Sequence, residues 1–452
     1  MRINTCHISG LACFDELELS FPKGNDPTKA DVYMFVGTNG TGKSSILQSL
    51  AQFFSFNPIG LDRKFRSEMS YVTITDGGNI LSAISPHSEK SHRNITTLFH
   101  SYRLNTKSQN GSIAYYNTPR VSPEEYIAID EYRQLSNNFQ PHAMAQKNIV
   151  FSYIALAYSG QRSVNNFVLE AIVEQRDNPF ANACSFRNPS SPQQLIQWIA
   201  NCKAKEAFAL AKGDMNRCKD RHDAVARIEE IIRNITGREF SFVMNDEPLG
   251  VGVKFDNATV VDLDVLPDGL KSIISWIADL LMRTDRIHWN DEGSVFKRRF
   301  ILFLDEIEVH LHPAWQRKIL PIIQSLFPNS QIFISTHSPF VIASASNAWI
   351  YLLKRGEMGV TADPPIKSDI GSSYTTILRE IMGVNDEFSI DVQSRIDKFY
   401  QLKRGYLSGN DDVEGELEIE ASYLMQMGAE ISAIIGREMI QIKRIKNKGH
   451  DK

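Results

Sequence analysis

The sequence predicts an α/β fold with mixed and antiparallel sheets, a short helical insertion and a C-terminal helical extension, on three observations. An apolar strand, VYMFV (32–36), runs straight into GTNGTGKSS and then a helix. A second apolar run, ILFL (301–304), ends in two carboxylates, Asp305 and Glu306. Around that run strands and helices alternate, the arrangement that builds a sheet with parallel strands.

Each element follows from its local pattern. The chain opens as strand, turn, strand over 2–8 and 14–21, where FDELELSF alternates apolar and polar side chains. After the glycine-rich turn a helix is expected through about residue 54. Residues 60–150 are rich in Ser, Asn and Thr, with short β-like runs at YVTIT, SYRL and SIAYY, which predicts an antiparallel sheet with long loops. IVFSYIALAY (149–158) reads as a buried strand. From 191 to about 236, Ile196, Ile199, Phe208, Ile228, Ile231 and Ile232 recur at helical spacings among charges, giving an insertion over 190–240 too short for long coiled-coil arms. FSFVM, VGVKF and TVVDLDV read as strands, PDGLKSIISWIADLLM as a helix opened by Pro-Asp-Gly. A helix from near Pro313, the strand QIFIS, the tripeptide THS and a helical tail beyond about residue 386 complete the chain. The expected domains are 1–375, carrying the sheets, and 376–452, a helical region for oligomer or partner contact.

Composition limits the function classes. A net charge of −4 supplies no global basic field for nucleic acid. The five cysteines are scattered without a CxxC pair, which fits free thiols in a reducing compartment. The start, MRINTCHISG, has no apolar signal core and no run approaches a membrane span, so a cytoplasmic protein with no membrane partner is expected.

Gly37-Thr38-Asn39-Gly40-Thr41-Gly42-Lys43-Ser44 matches the GxxxxGK[ST] phosphate loop in its required strand-loop-helix context. Glycines let backbone N–H groups curl around phosphate oxygens, the helix N-terminus adds partial positive charge, and the Lys43 ammonium reaches the terminal phosphates. The Ser44 hydroxyl is left for Mg²⁺, and Ser45 joins the nucleotide-binding set. Such a loop needs a second carboxylate for its metal and a group to orient the attacking water. Asp305, delivered at the end of a buried strand, fits the Mg²⁺ shell, and Glu306 fits a general base. His337 in STHSP, just after the next strand, is placed to reach the terminal phosphate.

Two rival metal motifs are weighed against this site. His310 and His312 form an HxH pair, but beyond Glu308 no third and fourth ligands lie nearby. Asp262 and Asp264 superficially match a nuclease DxD, yet TVVDLDV alternates as a strand with one wet face does. Basic runs at Arg63, Lys64 and Arg66, at 297–299 and at 443–448 offer weak support for direct duplex-DNA binding, and a solvated surface accounts for each.

In this order the motifs resemble the ABC-type P-loop ATPases of the RecF, SMC and OLD-like group, over roughly residues 1–375. The resemblance implies ATP and Mg²⁺ as cofactors and a signature loop that reaches a neighbouring subunit's ATP. The matching stretch here holds Pro267, Asp268, Gly269 and Lys271, with Pro267 in place of the usual Ser, so one γ-phosphate hydroxyl contact is missing and turnover is expected to be slow. It also implies a glutamine that senses the γ-phosphate, for which Gln161 is the candidate, and a seam loop between subunits at His310 and His312. EIEVHLHPAWQ, STHSP and PDGLKS are most similar to ATPases of bacterial anti-phage systems of the Septu type. That likeness implies an ATPase that pairs with itself as a dimer or higher homo-oligomer and acts with a separately encoded nuclease of the HNH type. DNA would then be met through the complex, with no nuclease in this chain, whose last 80 or so residues are too few for the Toprim domain of OLD nucleases. The alternative is a RecF- or SMC-like repair or recombination ATPase that binds duplex DNA directly.

Overall fold

The computed structural model describes the chain except residues 56–63, 68–69, 77–78, 87–102, 108–112, 118–122, 142, 144–148, 161–168, 187–191, 257–258, 290–294, 358, 369–370 and 451–452. In chain order the elements of the first unit begin with β1 (Thr5–Leu11), β2 (Phe14–Ser20), β3 (Asp31–Val36) and α1 (Lys43–Gln52). There follow β4 (Tyr71–Asp76), β5 (Asn79–Pro86), β6 (Arg103–Lys107), β7 (Ile113–Asn117), α2 (Pro123–Asn138) and β8 (Ile154–Tyr158). The helical hairpin of α3 (Pro192–Ala211) and α4 (Met215–Thr236) precedes β9 (Phe240–Asp246), β10 (Leu249–Phe255), β11 (Val261–Asp262) and α5 (Asp268–Asp285). Last come β12 (Phe300–Leu304), α6 (Pro313–Leu326), β13 (Gln331–Ser335), α7 (Pro339–Ser344), β14 (Ala348–Gly356), β15 (Gly359–Ala362) and β16 (Ile366–Lys367).

One sheet is antiparallel, ordered β2-β1-β4-β5-β7-β6, and a small one is ordered β11-β10-β9. The central sheet runs β15-β14-β3-β13-β12-β8, with β14, β3, β13, β12 and β8 mutually parallel. β3, β12 and β13 are buried along their whole length and apolar in their middles because both faces are covered, the condition under which parallel strands lose their alternation. Register aligns Trp349, Tyr33, Phe333 and Phe303 across four strands. Their rings stack in sequence, with centroids 5.7, 5.0 and 5.3 Å apart. Aromatic cross-strand neighbours of this kind stabilise one register against slippage. Gln331 adds a polar tie: its side-chain amide exchanges two 2.8 Å hydrogen bonds with the backbone of Ile3.

This strand order positions everything that follows. β13 lies between β3 and β12, and Leu304 is level with both Ile334 and Tyr158. The loops leaving β3, β12, β13 and β8 therefore emerge side by side at the carboxyl ends of the strands, where open α/β sheets place ligands.

Two local expectations are corrected. TVVDLDV is not a full strand: only Val261 and Asp262 pair with β10, and Leu263–Val265 turn as a 3₁₀ helix that buries Leu263. Phe208 does not share the apolar face of its helix; it is 67% exposed near the hairpin tip, whereas Ile196, Ile199, Ile228, Ile231 and Ile232 are buried.

A second compact unit comprises Leu378–Lys452. Its helices α8 (Ile390–Leu407), α9 (Glu414–Met425) and α10 (Ala429–His450) bury Phe399, Leu417, Leu424, Ile435 and Ile442 in a core of their own. Much of the tail's apolar surface thus has partners within the tail, while Ile390, Ile419 and Ile440 stay exposed. Among the described residues no helix is long and apolar enough to cross a membrane.

Candidate functional site

The phosphate loop has the backbone its sequence demands. Gly40 and Gly42 sit at φ +81° and +83°, a region that L side chains rarely adopt. At Gly42 a Cβ would also lie 2.4 Å from the Phe14 ring and 2.6 Å from Cys13 Sγ. Thr41 draws the loop inward by donating to the Thr38 carbonyl at 2.8 Å. Gly42 caps α1 with no side-chain hydrogen bond, leaving the helix N–H groups free for an anion. Lys43 is buried, and its ammonium donates to the carbonyls of Gly37 and Thr38 at 2.9 and 3.0 Å. Burial lowers its pKa, while Glu306, Asp305 and Glu308 oppose that shift.

The end of β12 closes onto this loop. Ser44 Oγ donates to Asp305 Oδ1 at 2.9 Å, joining positions 261 residues apart. Ser335, the last residue of β13, also donates to Asp305, and its hydroxyl accepts the Glu306 N–H at 2.9 Å. Glu306 takes a left-handed backbone, φ +47°, which costs a non-glycine residue about 1–3 kcal/mol and recurs at functional sites. Its carboxylate lies against Gly160, where an added Cβ would approach Oε2 to 2.9 Å. His337 is half-buried; burial first and the charge of Lys43 second push its pKa below the usual histidine range, against Glu306 and Asp305. The shift favours the neutral imidazole, which can offer a hydrogen bond without carrying charge.

The other predicted residues are placed as follows. Pro267 caps α5 without a side-chain hydrogen bond, Asp268 is exposed beside it, and Lys271 lies 3.8 Å from the Asp268 carboxylate. Gly269 is buried, and a Cβ there would meet the His310 carbonyl of the same chain at 2.5 Å. His310 is exposed at φ +63°, and His312 caps α6 by accepting the Ala314 N–H at 3.2 Å. Among the described residues no cluster of three or more His, Cys, Asp or Glu side chains is arranged to hold a metal. Gln161 and Arg63 lie outside the described residues. Of the basic surface run, Lys64 is partly buried against neighbours, while Arg66 stays exposed and pairs with Asp15. Lys64 donates to Ser45 Oγ at 3.0 Å and to Gln48 at 2.5 Å, and Arg66 donates to the Phe14 carbonyl at 2.6 Å.

Sequence reasoning missed Ser335 and Gly160 as parts of the site and gave Glu308 no place in it. Serine and glycine carry no local signal; the adjacency of β8, β12 and β13 is what brings them in.

A glycine-rich loop on a parallel sheet, a strand-end acid pair and a histidine just past the intervening strand define an ABC-type ATPase. The family model described as "AAA domain, putative AbiEii toxin, Type IV TA system" matches residues 32–343, and the chain belongs to that family. Similar proteins include "Retron Ec83 probable ATPase" of Escherichia coli, 23% identical over 79% of this chain and 72% of that protein. "Septu protein PtuA" of Bacillus thuringiensis is 24% identical over 85% of each chain. "Retron Vc95 probable ATPase" of Vibrio cholerae serotype O1 biovar El Tor is 22% identical over 86% of this chain and 82% of that one. Among solved structures, an SMC head bound to the C-winged helix domain of ScpA aligns with a TM-score of 0.42 and 12% identity, over 81% of this chain and 98% of that one.

Proposed function

We propose that this chain binds and hydrolyses ATP as one subunit of a bacterial anti-phage defence complex, pairs head to tail with a second copy, and controls a separately encoded effector nuclease of the HNH type. The observation that carries the ATPase reading is the meeting of Ser44, Asp305 and Ser335 below a buried lysine and beside Glu306. Similarity to proteins named for Septu and for retrons supports the defence setting.

The residues fit Mg²⁺ because the Ser44 hydroxyl and the Asp305 carboxylate converge as oxygen donors, which suits a hard cation that also keeps water and phosphate oxygens. Bound there by Ser44 and Asp305, Mg²⁺ would neutralise charge on the phosphates. The chain's own groups divide the rest of the work. The loop 37–44 and Ser45 hold the phosphates, Glu306 takes the proton of the attacking water, and His337 orients the terminal phosphate. A Gly160→Ala change pushes a methyl group into Glu306, so turnover is expected to fall about 10- to 100-fold with ATP affinity kept. Phosphate release measured beside nucleotide binding checks this.

Head-to-tail pairing rests on the start of α5. Its N-terminus carries no side-chain cap, Pro267 and Asp268 are exposed, and Gly269 lies against the seam loop at His310. A phosphate held by the partner copy would satisfy those N–H groups. The C-terminal helices offer further surface for oligomer or effector contact, with Ile419 71% and Ile440 56% exposed. The test is the solution mass of Glu306→Gln with and without Mg-ATP. At least a doubling is expected on adding nucleotide, and an unchanged monomer at saturating ATP would sink the pairing.

A further inference from the structure

The loop after Glu306 and the loop carrying His337 are tied together by side chains that the reaction above leaves unused. Glu308 turns inward, and its Oε1 accepts the backbone N–H of His337. Its Oε2 is shut off from solvent, and the Thr336 hydroxyl beside the carboxylate also favours its charged form. Burial pushes the Glu308 carboxyl up, and the bond from His337 opposes the shift.

A second tie starts one helical turn into α6. The Gln316 amide donates to the Leu311 carbonyl at 2.9 Å, and its side-chain oxygen accepts from Ser338 Oγ at 2.6 Å. Ser338 Oγ also caps α7, accepting from Phe340 and Val341 at 3.1 and 3.2 Å. His337 is thus held at its own N–H by Glu308 and at the next residue by Gln316. Both holds come from the stretch whose backbone is left-handed at Glu306 and His310, and whose His310 carbonyl meets Gly269. Backbone in that region persists only where surrounding contacts fix it.

We propose that Glu308 and Gln316 are positioning residues for His337, fixing the histidine through the loop that follows Glu306. This rests on the ATPase reading above. Neither side chain hydrogen-bonds to the phosphate loop among the described residues, so their removal affects the chemical step and leaves ATP binding in place. The loop that sets the histidine is the one lying against the α5 start, so pairing and hydrolysis share an element.

The test uses the full chain and reads KM against kcat, with ATP affinity measured on a fluorescent non-hydrolysable analogue. Glu308→Ala and Gln316→Leu are each expected to lower kcat roughly 10- to 100-fold at an affinity within about threefold of wild type. Glu308→Gln, which keeps an acceptor for the His337 N–H, is expected to recover much of the loss seen with alanine. In a His337→Ala background neither change should add a further loss, because residues that act through one another are non-additive. Losses that multiply in that background, or that fall on affinity, overturn the positioning role, and Gln316→Leu keeps the test open where Glu308→Ala fails to fold. A wild-type chain that binds ATP without turning it over overturns the hydrolysis reading and this proposal together.

Discussion

Glu306→Gln is expected to retain ATP while phosphate release falls about 10²- to 10⁴-fold, the range a positioned general base supplies. The amide has the size of the carboxylate, and the anchoring of residue 306 is by its backbone, whose N–H is held by Ser335 at 2.9 Å. The left-handed turn at 306 and the contact with Gly160 are preserved for the same reason. What is lost is the basicity and the negative charge that faces Lys43 and His337. The acid pair remains half intact, since Asp305 keeps Ser44 and Ser335. Nucleotide content after desalting, read beside phosphate release, separates binding from chemistry. Release at the wild-type rate would move the base elsewhere.

The residues that sequence reasoning placed in the site are those whose role depends on near neighbours. Strand, GTNGTGKS and helix form one contiguous unit, so Lys43 and Ser44 are identifiable without knowing the fold. Asp305 and Glu306 are legible because four apolar residues before them mark a strand end. Ser335 and Gly160 are different: each enters the site only because β13 and β8 flank β12, an order fixed by long-range pairing and by the ring stack from Trp349 to Phe303. Lys64 shows the reverse error. It reads as solvated surface until the chain returns it to α1, where Ser45 and Gln48 supply acceptors, while its neighbour Arg66 stays exposed. TVVDLDV fails for a third reason: alternation is shared by a strand and by a short extended segment that turns as soon as Leu263 finds the core.

Lys43→Ala is expected to weaken ATP binding about 10²- to 10³-fold, the cost of removing one partner from a buried charge interaction. The ammonium sits inside the loop, donating to Gly37 and Thr38, so it is already where the terminal phosphates would lie. Its removal acts twice. The phosphates lose a charge-assisted donor, and Glu306, Asp305 and Glu308, which now face Lys43, are left to repel the incoming anion. The loop loses its two inward tethers as well, which opens a conformation that Thr41 alone then holds through Thr38. Glu306→Gln and Lys43→Ala should therefore part company in a single experiment: with excess Mg-ATP followed by desalting, the first retains nucleotide and the second does not. Equal retention by wild type and Lys43→Ala would remove the phosphate loop from nucleotide binding and with it the reading of the whole site.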